Sequence, residues 1–193
     1  MSRLGIAPPS GKSHRPTTVG WTLAAMVGLV TLSLAVPASA QQQRVDPTWL
    51  TFDSAAKTVR FQLIAGLTGL NGALNFNGFR DGGLTLVVPV GWKTEIAFRN
   101  HDGMLPHSAE VVGDTNPPPI QPQTPAFDRA FTLKLAEGLP PEGTDDFRFI
   151  ANREGSFLLF CGVPGHGAAG MWIRLVVSGS GRRPSVAATS ARG

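Results

Sequence analysis

The sequence predicts an all-β fold, an antiparallel sandwich or barrel of about eight strands. Short apolar or alternating runs recur after residue 57 at intervals of about ten residues, a spacing typical of such folds. Glycine and proline turns separate these runs. No segment beyond residue 40 shows the apolar period of an amphipathic helix. These three observations favour β-sheet throughout the folded part of the chain.

The strand candidates are short and end at turn residues. They are residues 58–64, 73–78, 84–89, 94–100, 107–112, 130–135, 145–150, 156–160 and 171–177. Alternation of apolar and polar residues is clearest in 58–64 and 145–150, which predicts strands with one buried face. Residues 113–128 contain five prolines. They are expected to form a long loop, because proline cannot donate a hydrogen bond to a central strand.

The first forty residues have the pattern of a secretory signal peptide, which we assign to residues 1–40. Basic residues precede an uncharged apolar run at 21–36, and an A-x-A sequence ends at Ala40. The apolar run is shorter than the roughly 20 residues that a membrane-spanning helix needs. We therefore expect cleavage after Ala40 and export to the periplasm or the extracellular space. The alternative is a retained leader, in which case residues 21–36 would associate the protein with the membrane.

Beyond the leader we expect three segments: an N-terminal extension at 41–57, a β domain at 58–178 and a flexible basic tail at 179–193. Within the extension, Trp49 and Phe52 are the expected packing anchors. The tail is small, polar and basic, a composition typical of mobile segments.

The charge distribution argues against nucleic-acid binding. The formal net charge is +4, but residues 41–181 hold 11 basic and 13 acidic side chains. The excess of positive charge therefore belongs to the leader and the tail. A domain without a basic stripe does not have the electrostatic surface that nucleic-acid-binding proteins use.

The chain contains one cysteine, Cys161. An exported protein with one cysteine cannot form an internal disulfide. In an oxidising compartment a free thiol is a liability unless it is buried or bound. We therefore expect the sulfur of this cysteine to bind a ligand.

Cys161 belongs to a group of three potential metal ligands. In "CGVPGHGAAGM" it is followed at five-residue steps by His166 and Met171, with glycines between them. The segment joins two predicted strands, so a hairpin would bring a thiolate, an imidazole and a thioether to one end of the sheet. This soft donor set favours copper, and a second histidine would complete a trigonal site with a weak axial methionine.

The second histidine must come from another part of the chain. His107 follows Pro106 at the start of a predicted strand, whereas His101 lies in a polar turn beside Asn100 and Asp102. We favour His107 as the ligand, with His101 as the alternative.

Two other chemistries use a cysteine and a histidine. A nucleophilic cysteine with a histidine base would leave Met171 unexplained, and no orienting acid is apparent in the sequence. Zinc is a weaker candidate than copper because methionine is not among its usual ligands.

The C-x4-H-x4-M hairpin, the upstream N-x-D-G-x-x-P-H segment and the strand pattern together resemble the cupredoxins. The phrase "CGVPGHGAAGMW" most resembles the sulfocyanins, blue copper proteins related to plastocyanin and rusticyanin. The resemblance covers residues 58–178 and implies a Greek-key β-sandwich with one type 1 copper ion. It makes His107, Cys161 and His166 the equatorial ligands and Met171 the axial ligand.

The sequence departs from the resemblance in two respects. Ser108 stands where many cupredoxins have asparagine after the first histidine ligand. Sulfocyanins are often anchored in the membrane, whereas the leader of this chain has the pattern of a cleaved signal.

The expected function is electron transfer outside the cytoplasm, without catalysis. The copper would exchange single electrons with redox proteins, such as a cytochrome, an oxidase or a reductase complex, and the protein would act as a monomer. Residues Val163, Pro164, Ala168 and Ala169 would form a docking patch around His166. The alternative is an extracytoplasmic copper carrier or chaperone, against which the scarcity of methionines near the site argues.

Overall fold

The structure is a computed structural model that describes residues 44–179 and 181–189. The predicted leader, residues 1–40, lies outside these residues. A 3-10 turn, Pro47–Trp49, precedes the strands, and the prediction of an all-β fold is confirmed. The strands are β1 (Leu50–Asp53), β2 (Thr58–Ala65), β3 (Leu84–Pro89), β4 (Lys93–Asn100), β5 (Glu110–Gly113), β6 (Thr144–Ile150), β7 (Gly155–Phe160), β8 (Trp172–Ser178) and β9 (Ser185–Ala188).

The strands form two sheets. One sheet has the order β1-β2-β4-β6 and the other has the order β5-β7-β8-β3-β9. From β2 to β7 the chain changes sheet at each step, as expected for a Greek-key sandwich. The pairs β2–β4 and β3–β8 are parallel, which differs from the antiparallel arrangement that we expected. The strands of each parallel pair are not consecutive in the chain. Parallel pairing is possible because the intervening chain crosses back to the end of the sheet at which the first strand began.

The core lies between the sheets and is built from alternating side chains. In β2, Val59, Phe61 and Leu63 are buried while Arg60 and Gln62 are exposed. The same alternation occurs in β3, β4 and β8. Each fully buried aliphatic or aromatic side chain contributes about 1.5–3 kcal/mol. The buried side chains of both sheets therefore stabilise the sandwich that carries the loops at its ends.

Two strand candidates are not strands. Residues 73–78 form turns in which Phe76 makes only isolated bridges, to Ala65 and Phe79. Residues 130–135 are also irregular. Both segments contain buried apolar residues because they cover the core as loops, so their hydrophobic pattern does not require a ladder of strand hydrogen bonds. The candidate at 107–112 begins later than expected, since β5 starts at Glu110.

The regular structure extends beyond the expected domain limits of 58–178. Strand β1 pairs with β2 through residues of the N-terminal extension. Trp49 is buried as expected, but Phe52 is 42% exposed and is not an anchor. Strand β9 pairs with β3, so residues 185–188 differ from the flexible tail that we expected. Among the described residues we find no helix that is long and apolar enough to cross a membrane.

Candidate metal centre

The candidate ligands meet at one end of the sandwich. Cys161 directly follows β7, and the loop that contains His166 leads to Met171, which directly precedes β8. His107 lies just before β5, the neighbour of β7, so the strand pairing brings it beside Cys161. The structure therefore brings together all four residues that the sequence and the resemblance single out.

The ligand loop closes on itself through backbone hydrogen bonds. The amide of Cys161 donates to the carbonyl of Met171 at 3.0 Å, and the amide of Met171 donates to the carbonyl of His166 at 3.0 Å. The loop also needs glycine: Gly165 has a φ of +87° and Gly170 a φ of +97°. These bonds hold the three residues of the hairpin close together without a metal.

Three donor atoms converge on one point. Cys161 Sγ lies 3.5 Å from His166 Nδ1 and 3.9 Å from His107 Nδ1. The potential ligand atoms of the three residues all lie within 4.8 Å of one another. Metal–sulfur and metal–nitrogen bonds are about 2.0–2.3 Å long in zinc sites. One ion can therefore bind all three atoms.

The four residues differ in exposure. Side chains of His107, Cys161 and Met171 are fully buried, whereas His166 is partly exposed at the surface. The site is therefore shielded from water on the side of His107 and reaches the protein surface only through the imidazole of His166.

His101, the alternative ligand, is not part of the cluster. Its side chain is 47% exposed, and its Nδ1 lies 3.9 Å from Glu142 Oε1. In residues 44–179 and 181–189, the one cluster with metal-ligand spacing is His107, Cys161 and His166. His107 is thus the histidine whose position suits metal binding.

A buried carboxylate, which the sequence analysis missed, contacts His107. Asp102 Oδ2 lies 2.9 Å from His107 Nε2, and the aspartate is only 7% exposed. The sequence suggested an ordinary polar turn at this position. The available signal was the spacing of five residues between Asp102 and His107, which is not specific enough to identify the contact.

Ser108 connects the segments before β5 and after β7. Its amide donates to Cys161 Sγ at 3.4 Å, and its hydroxyl donates to the carbonyl of Leu135 at 2.7 Å. The same hydroxyl accepts a hydrogen bond from the amide of Gly162 at 3.0 Å. Serine therefore supplies a hydrogen-bond network where the resemblance led us to expect asparagine.

The electrostatics of the site favour neutral ligands in the absence of metal. Burial lowers the pKa of His166 to about 4, and repulsion from His107 contributes to the shift. Burial also lowers the pKa of His107, although Asp102 opposes the shift. Burial raises the pKa of the Cys161 thiol. The imidazole lone pairs are thus available, and a metal would displace the thiol proton.

The donor set fits copper better than other common metals. One thiolate, two imidazoles and a neighbouring thioether are the ligands of blue copper sites. Zinc sites use cysteine, histidine and carboxylate ligands, so a zinc site would leave the methionine of the ligand loop without a role.

A family model described as the Sulfocyanin (SoxE) domain matches residues 46–134 and 142–187, which is well over half of the chain. The chain belongs to the sulfocyanin family. Sulfocyanin of Sulfolobus acidocaldarius is 26% identical over 140 residues, which cover 69% of this chain and 70% of that protein. This family membership places the chain among the cupredoxins.

Solved structures of rusticyanin show the same fold. A histidine-to-methionine variant has a TM-score of 0.52 at 22% identity and covers 71% of this chain and 87% of that one. A methionine-to-glutamine variant has a TM-score of 0.50 at 24% identity, covering 71% and 87% respectively. The cupredoxin fold that we predicted is confirmed, and this sulfocyanin-family chain has His107, Cys161, His166 and Met171 arranged as a type 1 copper site. Such a site in this family indicates an electron-transfer protein.

Proposed function

We propose that the protein is an extracytoplasmic one-electron shuttle whose copper is bound by His107, Cys161, His166 and Met171. The observation that carries the proposal is the convergence of Cys161 Sγ with the Nδ1 atoms of both histidines. Bound copper would supply the redox couple, alternating between Cu(I) and Cu(II). The chain's own residues would hold the same ligand positions in both states.

The rigidity of the ligand segments supports fast electron exchange. Ser108 bonds to Cys161 Sγ and to the amide of Gly162, so the two segments cannot move independently. Three of the four ligand side chains are fully buried, which keeps water away from the metal. Ligands that are held in place before the reaction need little rearrangement when the charge of the metal changes.

His166 is the proposed exit for the electron. It is the partly exposed ligand, and the exposed residues Pro164, Ala168 and Ala169 surround it with a small uncharged surface, to which the half-buried Val163 adds. Ile120, 66% exposed, adjoins this surface because its carbonyl accepts the amide of Gly165. An apolar surface of this kind suits brief contact with redox partners such as a cytochrome, an oxidase or a reductase complex.

An enzymatic role has one argument in its favour and a stronger one against it. Asp102, His107 and Cys161 lie in contact in the order of a catalytic acid, base and nucleophile. Both the histidine and the cysteine are fully buried, however, so a substrate could not reach the thiol. We therefore propose a non-catalytic protein. That it acts as a monomer is a separate part of the proposal and does not depend on this burial.

The alternative role as a copper carrier has less support. A carrier must release its metal to a partner and is expected to present open ligands. Met104 is 85% exposed and could take part in such a transfer, but it is a single methionine. The buried ligand set favours transfer of electrons over transfer of the ion.

Optical and redox titrations test the proposed function. The copper-loaded chain should show the intense visible absorption of a Cu(II)–thiolate bond and should lose it reversibly when one electron is added. Cys161→Ala should abolish the absorption, whereas the matched control His101→Ala should keep it. A colourless Cu(II) complex of the unaltered chain, or full colour in Cys161→Ala, would contradict the proposal.

Export is the remaining part of the proposal and rests on the sequence of residues 1–40. A full-length chain should appear outside the cytoplasm with a new N-terminus at Gln41. Recovery of the uncleaved chain in the membrane fraction would instead support a retained leader.

A further inference from the structure

Asp102 is a buried carboxylate that contacts Nε2 of His107, the ring nitrogen opposite the candidate ligand atom Nδ1. The aspartate is 7% exposed, the histidine is fully buried, and 2.9 Å separates Asp102 Oδ2 from His107 Nε2. A neutral imidazole carries its proton on one nitrogen and accepts on the other. If the proton lies on Nε2 between the ring and the carboxylate, the lone pair of Nδ1 faces Cys161 Sγ.

The carboxylate of Asp102 is held in one orientation. Its second oxygen, Oδ1, accepts the amides of Met104 at 2.8 Å and Leu105 at 3.2 Å. The backbone amide of Asp102 donates to Asn100 Oδ1 at 3.0 Å. Rotation of the side chain would break these bonds, so Oδ2 remains directed at His107.

Two neighbours fix the turn that carries Asp102. The side-chain amide of Asn100 donates to the carbonyls of Leu105 and Leu139 at 2.8 and 3.0 Å. Gly66 packs so closely that a Cβ at its position would lie 2.7 Å from Asp102 Cβ, and its φ is +64°. The chain therefore uses a glycine and a buried asparagine to keep this aspartate in place.

We propose that Asp102 is a positioning residue that keeps the His107 proton on Nε2 and, through its buried charge, lowers the reduction potential of the copper. The inference rests on the proposed copper site. Cu(II) carries one more positive charge than Cu(I), and a nearby negative charge therefore stabilises the oxidised state. The effect is larger at a buried position than at the surface, because the interior screens charge less than water does. Outer hydrogen bonds to metal-bound histidines generally set the ring tautomer and the basicity of the ligand.

The test compares two changes that each remove one negative charge. Asp102→Asn keeps the shape of the side chain, and Asp128→Asn removes a carboxylate that is 87% exposed. We expect a higher midpoint potential of the copper-loaded protein in Asp102→Asn and an unchanged potential in Asp128→Asn. Equal potentials in the unaltered chain and both variants would overturn the role of the charge. If Asp102 had only a structural role, Asp102→Asn would lower the unfolding temperature without raising the midpoint potential.

A second measurement requires neither copper nor a variant. Nitrogen chemical shifts of His107 in the metal-free, unaltered chain report which ring nitrogen carries the proton. We expect the Nε2-protonated tautomer, and protonation on Nδ1 would overturn the positioning role. This readout remains decisive if Asp102→Asn does not fold. It also separates the two proposals, since failure to form a coloured copper complex would contradict the proposed function and leave the tautomer unaffected.

Discussion

The backbone amide of Gly165 donates a hydrogen bond to the carbonyl of Ile120 at 2.7 Å. This bond joins the ligand loop to the proline-rich loop, which the sequence indicated only as a long irregular connection. The proline-rich loop is also tied to the sheet, because the amide of Gln123 donates to the buried carboxyl of Glu110 at 3.1 Å. The segment that contains His166 therefore depends on residues more than forty positions away in the sequence.

Gly167→Ala should disrupt the contact between these loops. A Cβ at this position would lie 2.6 Å from Phe160 Cδ2 and 2.7 Å from the carbonyl oxygen of Pro119. Overpacking of this kind costs about 1–3 kcal/mol. We expect a lower free energy of unfolding in urea and weaker retention of copper against a chelator. Gly113→Ala is the control, since nothing lies within 4 Å of a Cβ there; equal losses in both variants would contradict the packing argument.

The variants His166→Gly and His107→Gly should differ in whether added imidazole can restore the copper site. His166 is partly exposed, so His166→Gly opens a cavity that free imidazole can enter from solvent. His107 is fully buried and its ring contacts Asp102, so the cavity of His107→Gly is closed to solvent. Titration with imidazole should restore the visible absorption of the copper-loaded protein in the first variant alone. Recovery of the visible absorption in His107→Gly at the same imidazole concentration would show that the cavity at His107 is open to solvent, contrary to the prediction.

Ser108→Ala should destabilise the protein and alter the copper centre together. The change leaves the amide of Gly162 and the carbonyl of Leu135 without their buried partner. An unsatisfied buried group costs about 1–3 kcal/mol. Denaturant unfolding measures this loss, and the visible spectrum measures the displacement of Cys161.

Thr132→Val is the matched control for Ser108→Ala. It also removes a buried hydroxyl, which accepts the amide of Ala109 at 3.0 Å, but it lies outside the ligand cluster. We expect a similar loss of stability with an unchanged visible spectrum. If both variants changed the spectrum equally, the special role of Ser108 at Cys161 would be refuted.

Glu110 should make stability depend on pH. Burial raises its pKa above the ordinary value of 4.5, and its Oε1 has no hydrogen-bond partner within the described residues. The native chain therefore keeps the proton to a higher pH than the unfolded chain. Stability should fall as the pH rises from about 4.5 through the raised native pKa, because more protons are bound in the native state there.

Glu110→Gln should remove this pH dependence. The amide is uncharged, so the variant should be more stable than the unaltered chain at neutral pH and gain little at pH 4. Thermal unfolding measured across this range checks the prediction. Glu154→Gln changes an exposed glutamate and is the control; the same gain in both variants would argue against burial as the cause.

The strands with alternating burial were predicted well from sequence. The predicted run 84–89 matches β3, and 171–177 matches β8 within one residue at each end. Their apolar residues face one core, and a period of two is visible without knowledge of the partner strands. The candidate copper ligands could be proposed from the sequence because three of the four lie in one short hairpin with an unusual combination of side chains.

The sequence was less informative where apolar residues lie in loops. Phe76 is fully buried, as a core strand residue would be, yet it makes only isolated bridges. Thr132 also lies in a segment that resembles a strand, but its hydroxyl accepts the amide of Ala109 from the neighbouring chain segment. Burial alone does not distinguish a strand from a loop that covers the core.

Asp102 is a residue of the site that could not be identified from the sequence. In the sequence it is one aspartate among turn residues, a place where solvated carboxylates are common. Its contact with His107 arises because Asn100 and Gly66 fold the turn inward. Such a contact depends on tertiary packing, which a local pattern does not encode.

Strand β9 has a consequence for how the chain behaves at high concentration. It pairs with β3 along Leu84–Val87, and the amide of Thr189 donates to the carbonyl of Gly83. A chain cut after Ser178 would leave this side of β3 as an open edge, and open edges recruit strands from other molecules. In the intact chain, strand β9 is the edge of the sheet in place of β3, but it is only four residues long, and short edge strands recruit partners less readily. We therefore expect a chain that ends at Ser178 to aggregate more readily, and a fusion partner should be attached after β9.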